Sequence, residues 1–173
     1  MSAAGRAERR HMCRHFLAAL AYRTGKAVRD APPDYPDFRA APGVRTPHEI
    51  LRHMTSVLGY ARTFFEGGEW RPGRLPTFEA EIDRFHDVLA SLSEHLASDA
   101  PLRGTTPERL LQGPLADAMT HAGQLAMLRR LSGSPIPPEN FILADVDAEN
   151  VGPDQPPPVA PDEVWYEAEE EPG

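Results

Sequence analysis

Four stretches of this chain repeat their apolar residues with the period of an α-helix, and proline or glycine follows each of them. A helix with one apolar stripe must bury it, and four such helices bury theirs against one another. The pattern therefore predicts an all-α fold, a four-helix bundle. The first stretch runs from about Ala7 to Arg29, with Cys13, Phe16, Leu17, Leu20, Thr24 and Ala27 on one face. The second opens at Thr46-Pro47-His48-Glu49 and closes at Gly67-Gly68. Thr46 suits the N-cap, Pro47 the first helical position, and Glu49 completes a capping box. Its apolar face reads Ile50, His53, Val57, Tyr60, Ala61 and Phe64, with His48, Arg52, Thr55 and Arg62 opposite. The third, capped by Thr77, runs from Phe78 to Ala97 on Phe78, Ile82, Phe85, Leu89, Leu92 and Leu96. A short piece begins at Thr106-Pro107-Glu108 and is interrupted by Gly113-Pro114. The fourth stretch reads as one helix from Pro114 to Ser132, ended by Gly133. No strand-like alternation of useful length occurs.

Between the first two helices, Ala31 to Gly43 holds Pro32, Pro33, Pro36 and Pro42, too many for a helix or a central strand. This segment should cross an end of the bundle, pinned by Tyr35 and Phe38. Residues 1–144 are read as the bundle domain. Residues 145–173 are a proline-rich acidic extension, packed on the bundle or trailing from it, with Trp165 and Tyr166 as a late anchor. The extension carries ten acids and no lysine or arginine, so the net charge of −8 becomes +2 once it is set aside. Residues 1–29 carry seven basic residues against Glu8 alone, so helix and tail can attract each other. The other reading is a solvated tail.

One cysteine, Cys13, excludes an intrachain disulfide and fits a reducing compartment. Neither the apolar core of a signal peptide nor a run long enough to span a membrane is present, so a cytoplasmic location is expected. No basic stripe is interleaved with aromatic residues, so nucleic acid is not an expected partner.

The fourth helix carries the most informative pair, Asp117 and His121. Four residues apart, they stand one turn from each other on one side of the helix. Thr120, Gln124, Leu125, Leu128 and Leu131 share that side, and Arg129 and Arg130 lie opposite, so the Asp117/His121 side is expected to face inward. His53 sits in the apolar stripe of the second helix. Two inward histidines and one inward aspartate form a set with open coordination positions, suited to zinc, nickel, iron or manganese. Spacing does not choose among these metals, of which zinc and nickel are the first expectation, and Gln124 is placed to support a ligand or a bound water. The alternative is a pair of core histidines hydrogen-bonded to Asp117 without metal. His11 and His15 are a rival pair, but they fall opposite Phe16 and Leu20 and should face solvent. The histidines of HEILRH, His48 and His53, are five apart and cannot share a cation. His86 and His95 flank the third stripe as boundary residues. Leu115, Met119, Ala122 and Ala126 read as an outer stripe able to seat a second copy, so a homodimer is expected.

TPHEILRHM (46–54) and DAMTHAGQLAMLRRLSG (117–133) resemble the DinB/YfiT-like superfamily of metal-binding four-helix bundles. That family has a histidine on the second helix and two histidines four apart before a Gly-Gln pair on the last. His53 matches the first and His121, ahead of Gly123-Gln124, the third. Asp117 stands where the family has its second histidine. The resemblance covers about Arg6 to Phe141. It implies a metal at His53, Asp117 and His121, and an enzyme of the thiol S-transferase or thiol-dependent isomerase kind using a low-molecular-weight thiol such as bacillithiol or mycothiol. A hydrolase using the same metal set is a further possibility. The alternative is a non-catalytic metal- or ligand-binding bundle, stress-related in role. No catalytic residue is assigned by the sequence.

Overall fold

Three of the helix starts use the same device. Thr46, Thr77 and Thr106 each take an extended N-cap conformation, and their hydroxyls accept from the main-chain N–H of Glu49 (3.3 Å), Ala80 (3.1 Å) and Arg109 (3.3 Å). At Thr46 the box is closed by its own N–H donating to Glu49 Oε2 at 2.8 Å. The computed structural model describes residues 3–161, in which α1 spans Ala3–Val28, α2 Pro47–Glu66, α3 Phe78–Ala97, α4 Pro107–Leu110 and α5 Ala116–Leu131. A π-turn, Leu111–Leu115, joins α4 to α5, and the backbone breaks from helical geometry at Gly113 (φ −97°, ψ −105°). Pro114 thus lies within this turn and the regular helix begins two residues later than expected. α1 begins one turn earlier than the apolar pattern indicated. No strand forms among the described residues beyond an isolated bridge between Glu139 and Pro161.

α1 packs on α3 and α5, and α2 packs on the same two helices, so α1 and α2 occupy opposite corners. The direction of each helix follows from its end contacts. At one end, Arg129 near the close of α5 reaches the last carbonyls of α1, and Tyr35 touches Phe78 at the start of α3, with ring centroids 6.0 Å apart. His48 in the first turn of α2 also meets Phe78, at 5.9 Å. At the other end, Arg10 of α1 donates to Ser98 O and Ala100 O just past α3, while His95 meets Glu66 at the end of α2. α1 and α5 therefore run one way, and α2 and α3 run the other.

Two linkers must then be long. Residues 29–46 cross the bundle end, pinned by fully buried Tyr35, whose hydroxyl donates to Leu125 O at 2.8 Å. Phe38 is partly buried against the core. Because α2 and α3 are parallel, residues 67–77 must return along the length of a 20-residue helix, about 30 Å. Eleven extended residues reach that far, up to roughly 36–40 Å. Trp70 anchors this return strap, its indole against Gly59 of α2 and beside the Arg62 guanidinium (4.5 Å to the ring). A Cβ at Gly59 would sit 2.1 Å from Trp70 Nε1. Gly59→Ala should therefore destabilise by about 1–3 kcal/mol in urea melts, although alanine is intrinsically the better helix former by up to about 1 kcal/mol. A more stable variant would mean that the strap does not pack here.

The core is contiguous, built on Leu17, Leu20, Leu51, Met54, Leu58, Phe85, Leu89, Leu92 and Leu125, all fully buried. It corrects the expected face of α2. The buried sector holds Ile50 and Ala61 as expected, but is centred on Leu51, Met54, Thr55, Leu58 and Phe65, whereas Tyr60 is 54% exposed. His53 lies at the edge of this sector instead of in it. His48, expected in solvent, is buried against Phe78, with Nε2 3.8 Å from the fully buried Glu81 carboxylate. His86 is likewise buried, bonded to Val151 O at 2.8 Å, and His11 and His15 are exposed as expected. Leu115, at the end of the π-turn, and Ala122 of α5 belong to the core, and Met119 and Ala126 pack against it, so the expected outer stripe does not exist. Arg129 is buried and Leu131 is exposed, the reverse of expectation.

Of the extension, residues 145–161 are described, and they touch α1 and α3 through Arg14–Glu149 (2.6 Å), Arg29 Nη2–Gln155 O (3.0 Å) and His86–Val151. Trp165, Tyr166 and the last six acids lie outside the described residues. No helix is long and apolar enough to cross a membrane.

Candidate metal centre

His53 stands in the second turn of α2 and Asp117 and His121 in the first two turns of α5, and these two helices are neighbours. The seam between them brings the three side chains together. His53 Nε2 is 3.5 Å from Asp117 Oδ2, His121 Nδ1 is 3.5 Å from Asp117 Oδ1, and the imidazole centroids are 4.7 Å apart. One donor atom from each lies within 4.8 Å of the others, so the three can hold one metal ion. His48 takes no part, in keeping with its spacing from His53.

The group sits at the open edge of the seam, not in the interior. The side chains of His53 and Asp117 are 30% and 45% exposed, and that of His121 is 10% exposed. The cause is the rotation of both helices relative to the expected faces: Leu51, Met54 and Leu58 fill the centre from α2, and Ala118, Ala122 and Leu125 fill it from α5. Gln124, expected on the inner side beyond His121, is exposed.

Two contacts fix the chemistry of His121. Its Nδ1–H donates to Asp117 O at 2.8 Å, since a carbonyl can only accept. Its Nε2 faces Arg45 Nη1 at 3.4 Å, and a guanidinium can only donate. The carbonyl places a proton on Nδ1, and the guanidinium leaves Nε2 as the acceptor. His53 is held towards the neutral form. Its pKa lies below the ordinary histidine value, chiefly through burial and then through Arg45 and His121, against the opposing pull of Asp117. A neutral imidazole is what a metal requires.

Arg45 had no sequence signal beyond its place next to the Thr46 cap. Cys13 is a core residue, 2% exposed, with its thiol bonded to Pro107 O and pushed up to about 11 by burial and then Glu108. It is therefore a neutral thiol and not a nucleophile at neutral pH.

No family model, curated protein or solved structure matches this chain. Among the described residues the chain is an all-helical bundle with a His/Asp/His group on the seam between α2 and α5.

Proposed function

We propose that His53, Asp117 and His121 bind one divalent metal ion, and that the protein is a metal-dependent enzyme of the DinB-like kind acting on a small thiol. The observation that carries the metal reading is the convergence of the three donor atoms across the α2–α5 seam, with His53 held towards its neutral form by burial and Nδ1 of His121 donating to the Asp117 carbonyl. The half-open position favours a reactive site over a bracing one, because a ligand arriving from solvent can reach it. A bound cation supplies Lewis acidity, which lowers the pKa of a thiol or water held beside it. This chain contributes the rest: His121 is oriented by the Asp117 carbonyl, Asp117 adds one negative charge, and the seam leaves one side open. That charge makes the centre a weaker thiolate acceptor than three imidazoles would be. Zinc and nickel are the first candidates, then iron and manganese.

The test is metal analysis of protein purified without a histidine tag, followed by conjugation of a small thiol to an electrophile. Stoichiometric metal with metal-dependent thiol turnover supports the proposal. Metal-loaded protein without turnover rejects the transferase, and protein that takes up no metal rejects both parts.

Metal affinity should be nearly flat above about pH 6.5 and fall steeply below it, as protons compete for the two imidazoles. Because the pKa of His53 is lowered, its competition begins at a lower pH than for a free imidazole. Titration with a fluorescent chelator between pH 5 and 8 reads this directly, and a pH-independent affinity would exclude histidine ligation.

A further inference from the structure

A cleft of about 570 Å³ opens beside His53, walled by the linker that crosses the bundle end, by α2 and by the return strap. Its walls carry Arg39, Arg45, Arg52 and Arg71 against Glu49, in a chain whose net charge is −8. Two of these arginines are already paired, Arg39 with Glu49 at 3.3 Å and Arg71 with Glu69 at 3.2 Å. Arg52 has no carboxylate partner among the described residues, and the polar contact of Arg45 is Nε2 of His121. Two guanidiniums without counter-charge thus face one cleft that also contains His53.

A guanidinium is a planar fork that matches the two oxygens of a carboxylate or phosphate. Concave walls concentrate the field of such charges and draw in anions. Arg45 bridges both features, since it lines the cleft and touches the donor atom of His121. An anion that engages Arg45 draws it off that lone pair and leaves it for a cation.

We propose that this cleft binds the anionic group, a carboxylate or a phosphate, of a small-molecule substrate, held by Arg45 and Arg52 so that the adjoining part of the molecule faces His53, Asp117 and His121. The inference deepens the metal reading and rests on it for what the anion is presented to, not for its binding.

The experiment is isothermal titration of the full chain, metal-free and nickel-loaded, with succinate and with inorganic phosphate at fixed low ionic strength. The wild-type protein should bind one equivalent of at least one probe, and the preferred probe identifies the anion class. Arg45→Gln/Arg52→Gln should weaken that binding about tenfold or more. Its melting temperature should hold, and its nickel stoichiometry should be unchanged, because neither side chain is a ligand. Arg45→Lys/Arg52→Lys should recover part of the affinity, keeping the charge and losing the fork. Failure of both probes to bind the wild type, or equal binding by the glutamine variant, overturns the inference. If nickel does not bind but the probes still depend on the two arginines, the metal reading fails and this one stands.

Discussion

His53→Ala should lower the affinity for zinc or nickel by more than about 100-fold while barely moving the melting temperature of the metal-free protein. The two readouts separate because His53 lies at the rim of the α2–α5 seam and is 30% exposed, so its removal opens no sealed cavity. What it removes is the sole donor from α2 in the group, leaving Asp117 and His121 on one helix. His121→Ala should lose a comparable amount, because it takes away the imidazole whose tautomer is fixed by Asp117 O and Arg45. Asp117→Asn should weaken binding less, keeping an oxygen donor without its charge. A variant lacking His53 that binds metal like the wild type would place the metal elsewhere.

Arg129→Met should unfold the protein earliest of the single substitutions discussed. The guanidinium is buried near the end of α5 and donates to Ala27 O (3.2 Å), Arg29 O (3.0 Å) and Ser134 O (2.9 Å), and to Ser134 Oγ (3.1 Å). It satisfies carbonyls that the end of α1 leaves unpaired, ties α1 to α5, and stacks over the Tyr35 ring at 5.5 Å. Methionine fills the stem volume but returns none of these bonds. Each carbonyl left dry costs about 1–3 kcal/mol, so a loss of about 3–5 kcal/mol is expected. For a chain of this size that is a fall of roughly 10 °C in melting temperature, measurable by circular dichroism. A shift of less than about 2 °C would show that water replaces the guanidinium at no cost.

These two residues also show how far the chain could be read without coordinates. The threonine caps, the four long helices, the proline-rich crossing and the Tyr35 anchor were all legible, because each rests on local chemistry within a few residues. The rotation of α2 and α5 was not. α2 carries apolar residues over about half its circumference, so the stripe Val57, Tyr60, Phe64 at one edge competed with the more deeply buried one of Leu51, Met54, Leu58 at the other. Tyr60 and Phe64 pair edge-to-face, centroids 5.0 Å apart, with Phe64 partly buried against the core and Tyr60 exposed. On α5, treating arginine as a marker of solvent failed, since Arg129 is buried by bonds to another helix's end. The members of the His/Asp/His group were nevertheless identified, because a seam position tolerates a modest rotation that a core position would not. Arg45 and Arg52 were missed because each reads as an ordinary solvated charge: the cleft they line exists only once Trp70, Arg71 and Pro72 of the return strap lie across from them.

The most direct test is anomalous diffraction at the metal edge from crystals of the full chain grown with zinc or nickel. The account predicts one strong peak on the α2–α5 seam, about 2.0–2.2 Å from a nitrogen of His53, a nitrogen of His121 and an oxygen of Asp117. A peak coordinated by other side chains, or none at this seam in metal-saturated crystals, would contradict it.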